Sequence, residues 1–135
     1  TMHKGRLLQN FQKEVQRFIN ENKDNPNLTE FINALETAVK EVMSSTMWLM
    51  QNGMQDPENA LSSASDYLNL VALTSLTYMW ARMAKFSDGK NEPQHKTKIK
   101  TGTYFIDKFI PEIEMHSKKV QSGKSTLMEM SIEEF

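Results

Sequence analysis

The segment 56–86, DPENALSSASDYLNLVALTSLTYMWARMAKF, constrains the chain more than any other, because it reads as one long helix with too much apolar surface for one side. Asp56 suits an N-cap, Pro57 fits the first helical position because it has no N–H to leave unpaired, and Glu58 complements the positive end of the helix dipole. Ser87-Asp88-Gly89 supplies the stop, with a glycine able to take the left-handed conformation that ends helices. Between these signals Leu61, Ala64, Leu68, Val71, Ser75, Tyr78, Met79, Arg82, Met83 and Phe86 recur at three- and four-residue spacing. Tyr67, Leu70, Leu73, Leu76 and Trp80 widen the band, so this helix is expected at the centre of the core, with neighbours on more than one side.

The remaining segments read as partners for it. Residues 5–22 place Leu7, Leu8, Phe11, Val15, Phe18 and Ile19 on one helical face. Lys23-Asp24-Asn25-Pro26-Asn27 breaks that helix, and Asn27 with Glu30 has the spacing of a capping box that starts the next. A second apolar face runs from Leu28 to Met50, with Asn52-Gly53 as its expected end. A fourth pattern carries Ile99, Thr103, Ile106, Phe109, Ile110, Ile113 and Val120; Pro111 predicts a kink in it and Gly123 closes it. The tail 124–135, with Leu127, Met128, Met130, Ile132 and Phe135 among acidic residues, is expected to fold back on the bundle. Nothing alternates like a strand. The pattern predicts an all-α, antiparallel up-and-down four-helix bundle with a short C-terminal tail, as one domain over 1–135.

The inventory excludes most chemistry. Sixteen basic against 17 acidic residues leave a net charge of −1, so no global field draws the chain to nucleic acid or to an anionic membrane. No window has the apolar length of a membrane span, and no apolar run follows Thr1-Met2-His3-Lys4, so a soluble, cytoplasmic protein is expected. An opening Thr1-Met2 suggests part of a longer protein. There is no cysteine, no Gly-x-Ser-x-Gly elbow, and no glycine-rich phosphate loop; Gly123-Lys124-Ser125 matches only the end of a Walker sequence. The single Glu-x-x-His spacing, Glu92 to His95, contains Pro93 and has no second copy, so no metal is expected. His116, next to Glu112 and Glu114, is expected to be exposed and locally paired. The run His95 to Lys100 reads as a solvated face. Met43, Met47, Met50 and Met54, like Met79 and Met83, fall at helical spacing and read as core filling.

Three stretches carry more. Ser65-Asp66-Tyr67-Leu68-Asn69-Leu70 leading to Tyr78-Met79-Trp80-Ala81-Arg82-Met83-Ala84-Lys85, then Tyr104-Phe105-Ile106-Asp107-Lys108-Phe109-Ile110-Pro111-Glu112, then residues 125–135, STLMEMSIEEF, occur in an order that resembles the C-terminal extension of bacterial acyl-CoA dehydrogenases. The resemblance is to the enzymes acting on 3-(methylthio)propanoyl-CoA and similar thioesters, and covers the last part of the chain better than the first. It implies a helical domain appended to a catalytic core in which a glutamate removes the α proton and the β hydride goes to FAD. The family's glutamate sits in an aromatic-Glu-Gly-Thr stretch, and no Glu-Gly pair occurs here, so no catalytic, cofactor-binding or metal-binding residue is carried over.

The expectation is therefore a non-catalytic C-terminal domain of an FAD-dependent acyl-CoA dehydrogenase, the flavin and the acyl-CoA being held by the parent. Its partners would be the parent's catalytic core and a second subunit. Trp48, Tyr67, Tyr78, Trp80 and Arg82 are the candidate contact residues, with core packing as the plain alternative for each aromatic. Arg82 must reach solvent or pair with an acid such as Asp66 or Glu112. The rival reading is a stand-alone bundle that holds a small hydrophobic or acyl ligand between its helices.

Overall fold

The computed structural model of the chain describes residues 2–122. It consists of four helices, α1 (Met2–Asn22), α2 (Thr29–Gln55), α3 (Pro57–Ser87) and α4 (Pro93–Ser122), and among the described residues there is no strand. Cross-helix contacts fix the directions. Tyr67 Oη lies 2.7 Å from Thr46 Oγ1, and Gly53 abuts Ala60, so α2 and α3 are antiparallel. Trp80 stacks on Phe105 while Ser63 Oγ donates to the Val120 carbonyl at 2.8 Å, which makes α4 antiparallel to α3. Tyr78 meets Glu14 and Asp88 meets Asn25, so α1 runs with α3. The result is the expected up-down-up-down bundle, with α2, α3 and α4 in the most extensive contact and α1 lying against one end.

The boundaries show where local chemistry decides. Asp56 ends α2 and starts α3: its N–H donates to the Asn52 carbonyl at 3.0 Å, and its carboxylate accepts from the Glu58 N–H at 3.1 Å. α2 does not stop at Asn52-Gly53. Gly53 stays helical, and a Cβ there would lie 3.0 Å from that of Ala60, so this glycine lets two antiparallel helices close up beside a one-residue connection. Nor does Asn27 cap α2. Asn25 does the capping one turn earlier, accepting from the Asn27 N–H at 3.0 Å and starting a short 3-10 turn, Pro26–Leu28, that leads into α2. α3 ends as expected, with Gly89 at φ +78°. α4 is continuous through Pro111, which is exposed; the expected closing Gly123 and the tail lie outside the described residues.

One carboxylate clamps two connections together. Asp88, after α3, accepts from Asn25 Nδ2 at 2.8 Å and from Asn27 Nδ2 at 3.0 Å, both before α2. Asp88→Ala removes the acceptor of a partly covered donor, Asn25, and of an exposed one, Asn27, and is expected to cost about 1–2 kcal/mol in a urea titration, with Asp88→Asn intermediate.

The core has two parts. Where all four helices meet, Val15, Phe18, Ile19, Leu28, Phe31, Leu35, Tyr78 and Ile106 are buried. Farther along, where α2, α3 and α4 close on themselves, it narrows to Ala38, Val42, Leu70 and Ile113, beside a buried Ser45–Ser117 hydroxyl pair at 3.1 Å. Small residues there let the helices approach closely. One expectation fails: Met43, Met47 and Met50 are 50%, 58% and 61% exposed, and Met79 is exposed as well. The buried stripe of α2 passes through Leu35, Ala38, Val42 and Ser45, and the methionines fall on the neighbouring side of the helix.

Candidate functional site

The principal recess is a groove of about 530 Å³ between α1 and α3, lined by Phe11 and Glu14 of α1, Ser75, Tyr78, Met79, Arg82, Met83 and Phe86 of α3, and Lys98 of α4. α1 and α3 run alongside each other here because Tyr78 receives Phe11 and Phe18 edge-on, at 5.9 and 5.5 Å between ring centroids. At the rim the Tyr78 hydroxyl donates to Glu14 Oε1 at 3.1 Å, and the Arg82 guanidinium lies 5.6 Å from the centroid of the same ring. Arg82 thus reaches solvent and pairs with neither Asp66 nor Glu112.

Burial pushes the Tyr78 hydroxyl above the ordinary tyrosine value, and the adjacent Glu14 carboxylate adds to the rise against the opposing pull of Arg82 and Arg17. A raised folded-state value means that the fold holds this proton more tightly than the unfolded chain does. The stabilisation is complete below the unfolded value of about 10 and is lost as pH climbs through the higher folded one. Tyr78→Phe is expected to flatten the alkaline limb of a plot of urea midpoint against pH, leaving the neutral region lower by about 1 kcal/mol for the lost hydrogen bond.

Of the five candidate contact residues, the groove brings Tyr78 and Arg82 together. Tyr78 is nearly enclosed, so only its edge and hydroxyl face the groove. Tyr67 is half-buried and tied to Thr46. Trp80 lies on another side of α3, half-buried and stacked at 5.4 Å on Phe105, which stacks in turn on Phe109 at 5.9 Å. Trp48 stands apart on α2, half-buried, its carbonyl accepting from Asn52 Nδ2. Glu14 and Lys98 were not singled out by the sequence, since each is an ordinary charge on an amphipathic helix until the fold places it.

Elsewhere the polar side chains serve the architecture. Glu92 and His95 stay a local pair at 3.8 Å, His95 Nδ1 lying 3.1 Å from Ser87 Oγ. His116 is neither exposed nor paired on its own helix: it is half-buried and hydrogen-bonds across to Asp66 of α3 at 2.9 Å, because its position on α4 faces that neighbour. Among the described residues no three His, Asp or Glu side chains gather as a metal-binding group, and no helix is long and apolar enough to cross a membrane. The groove offers a carboxylate, a guanidinium and an ammonium over an apolar floor, with no nucleophile held by a base.

The surface is more telling. Leu61, Leu68 and Phe86 of α3 are 78%, 68% and 65% exposed, in addition to Met79 and the methionines of α2. Isolated apolar residues on a surface are normal; here several are exposed on each of two helices. Fold and surface together define an all-α helical bundle with apolar side chains exposed on α2 and α3. A family model described as Acetyl-CoA dehydrogenase C-terminal like matches residues 11–131, almost all of the chain, and the protein belongs to that family. The match takes in the second half of α1 as well, where the three resembling stretches were silent. Neither the curated proteins nor the solved structures provided a match.

Proposed function

We propose that this chain is the non-catalytic C-terminal domain of an FAD-dependent acyl-CoA dehydrogenase, serving to pack on the parent's catalytic body and to make subunit contacts. The parent oxidises an acyl-CoA to the 2-enoyl-CoA in the cytoplasm, and the order of the three resembling stretches favours the 3-(methylthio)propanoyl-CoA dehydrogenase-like branch. The observation that carries the reading is the combination of the family match with apolar helical faces that the bundle itself leaves open. In support of placing the flavin on the parent, the described glycines lie inside helices or in the α3–α4 turn rather than in a glycine-rich phosphate loop. The flavin and the acid-base chemistry are accordingly assigned to the catalytic body, and no chemical step to this chain. The rival, a ligand-binding bundle, has in its favour only the α1–α3 groove, which is an open recess rather than an enclosed site.

Methionine oxidation tests the packing role. In the isolated chain, peroxide followed by peptide mass spectrometry is expected to convert Met43, Met47 and Met50 rapidly to sulfoxides, because all three are exposed. Joined to its catalytic body, the same domain is expected to show at least a several-fold slower reaction at one or more of them. Equal rates at all three, and at Met79, would remove the case for packing through these faces.

A further inference from the structure

The groove between α1 and α3 carries charge of mostly one sign over an apolar floor. Arg82 and Lys98 stand at its edge, and past Tyr78 it continues toward Arg17 and Lys85. Against these cations its walls hold one carboxylate, Glu14, which accepts from the Tyr78 hydroxyl. Arg17 has Glu21 at 3.9 Å, whereas among the described residues Arg82, Lys85 and Lys98 have no carboxylate at ion-pair distance. Beneath them Met79 and Phe86 are 47% and 65% exposed. An occupant that answers both features interleaves apolar side chains with carboxylates. The recess on α2 beside Met43 and Met47 has no such bias, with one lysine, Lys40, and one glutamate, Glu36.

Residues 124–135, KSTLMEMSIEEF, have that composition: Leu127, Met130, Ile132 and Phe135 stand among Glu129, Glu133 and Glu134, with Lys124 as the only cation. We propose that this segment of the chain is the occupant of the α1–α3 groove, its apolar side chains on Met79, Met83 and Phe86 and its carboxylates against Arg82, Lys85 and Lys98. The reach is sufficient. α4 ends beside the first turns of α3, where Ser63 Oγ donates to the Val120 carbonyl. From Ser63 the groove begins at Ser75, about 18 Å along α3, and Met83 is about 30 Å along it. Residues 123–135 span up to about 43 Å. A recess open along its length suits a chain segment better than a small molecule, which binds where it is enclosed on most sides. This docking leaves the methionines of α2 to the parent. It goes beyond the family reading and stands whether or not the parent carries FAD.

Peroxide oxidation of the full chain, read by peptide mass spectrometry, tests it. In the bundle itself Met79 and Met43 are 47% and 50% exposed, so a difference between their rates reports an occupant of the groove. In the wild type Met79 is expected to form its sulfoxide about fivefold more slowly than Met43, or slower still. E133K/E134K is expected to raise Met79 to the rate of Met43, and R82E/K98E to do the same. Combining the four changes is expected to restore most of the protection, because the pairs re-form with their signs reversed. Circular dichroism verifies that the bundle is intact, as Arg82 and Lys98 are exposed. Zero-length carbodiimide coupling supplies a second reading, an amide within one chain from Lys85 or Lys98 to Glu129, Glu133 or Glu134. Met79 oxidised as fast as Met43 in the wild type, protection unmoved by either pair of changes, or a combined variant no better protected than the pairs would overturn the proposal. Met43, Met47 and Met50 report separately on packing against the parent, so these outcomes leave that reading untouched.

Discussion

Replacing Phe31 with Ala is expected to lower the unfolding free energy by about 3–5 kcal/mol, the largest effect of any single change considered for this chain. Phe31 is among the largest fully enclosed side chains, and it sits where α2 meets α4 at the wide end of the core. Its removal loses the transfer free energy of a phenyl ring and leaves a cavity walled by Gly102 and residues packed on other helices, which cannot all follow inward. For a domain whose whole stability is of order 10 kcal/mol, that is a large share. Urea titration monitored by helical circular dichroism reads it directly. A loss under about 1 kcal/mol would mean that the ring is not enclosed as described.

Gly102→Val is expected to cost about 2–3 kcal/mol, although a helix-interior glycine is ordinarily the poorer choice. A Cβ at this position would lie 3.0 Å from Phe31 Cε1 and 3.1 Å from Trp80 Cε3, on the face where α4 presses between α2 and α3. Phe31 is enclosed and has nowhere to retreat, and the half-buried Trp80 can move only by giving up its stack on Phe105. The roughly 1 kcal/mol gained from better helix propensity is outweighed. The two positions share one space, so their effects must couple: in a Phe31→Ala background the cost of filling position 102 is expected to fall by 1 kcal/mol or more, with the Trp80 contact accounting for what remains. Additive losses would place the steric conflict somewhere else.

Helix count, order and direction were legible because they rest on strong local signals. Asp56-Pro57 and Gly89 punctuate α3 as their chemistry dictates, and short connections leave antiparallel neighbours as the simple solution. Three boundary and side-chain readings were not legible, for one common reason. Gly53 resembles a helix stop until Ala60 packs against it; Asn27 resembles a cap until Asn25 occupies that role; His116 appears local until α4 turns it toward Asp66. Each depends on a partner distant in sequence or on a choice between adjacent residues of the same kind, which periodicity cannot resolve. The methionines of α2 show the same limit, since a wide apolar band does not say which edge of it the bundle covers. The candidate site was partly legible. Tyr78 and Arg82 stood out as an aromatic and a cation inside an apolar run, whereas Glu14 and Lys98 acquire meaning only when α1 and α4 are laid beside α3.

The central claim is that this chain is a packing domain whose parent holds the flavin and performs the chemistry. The visible absorption spectrum of the purified chain, followed by an electron-acceptor assay with a panel of acyl-CoAs, tests it most directly. The account predicts a colourless protein that leaves the acceptor oxidised with every thioester. A yellow protein that reduces the acceptor would contradict it, and would require a flavin site and a base within the chain.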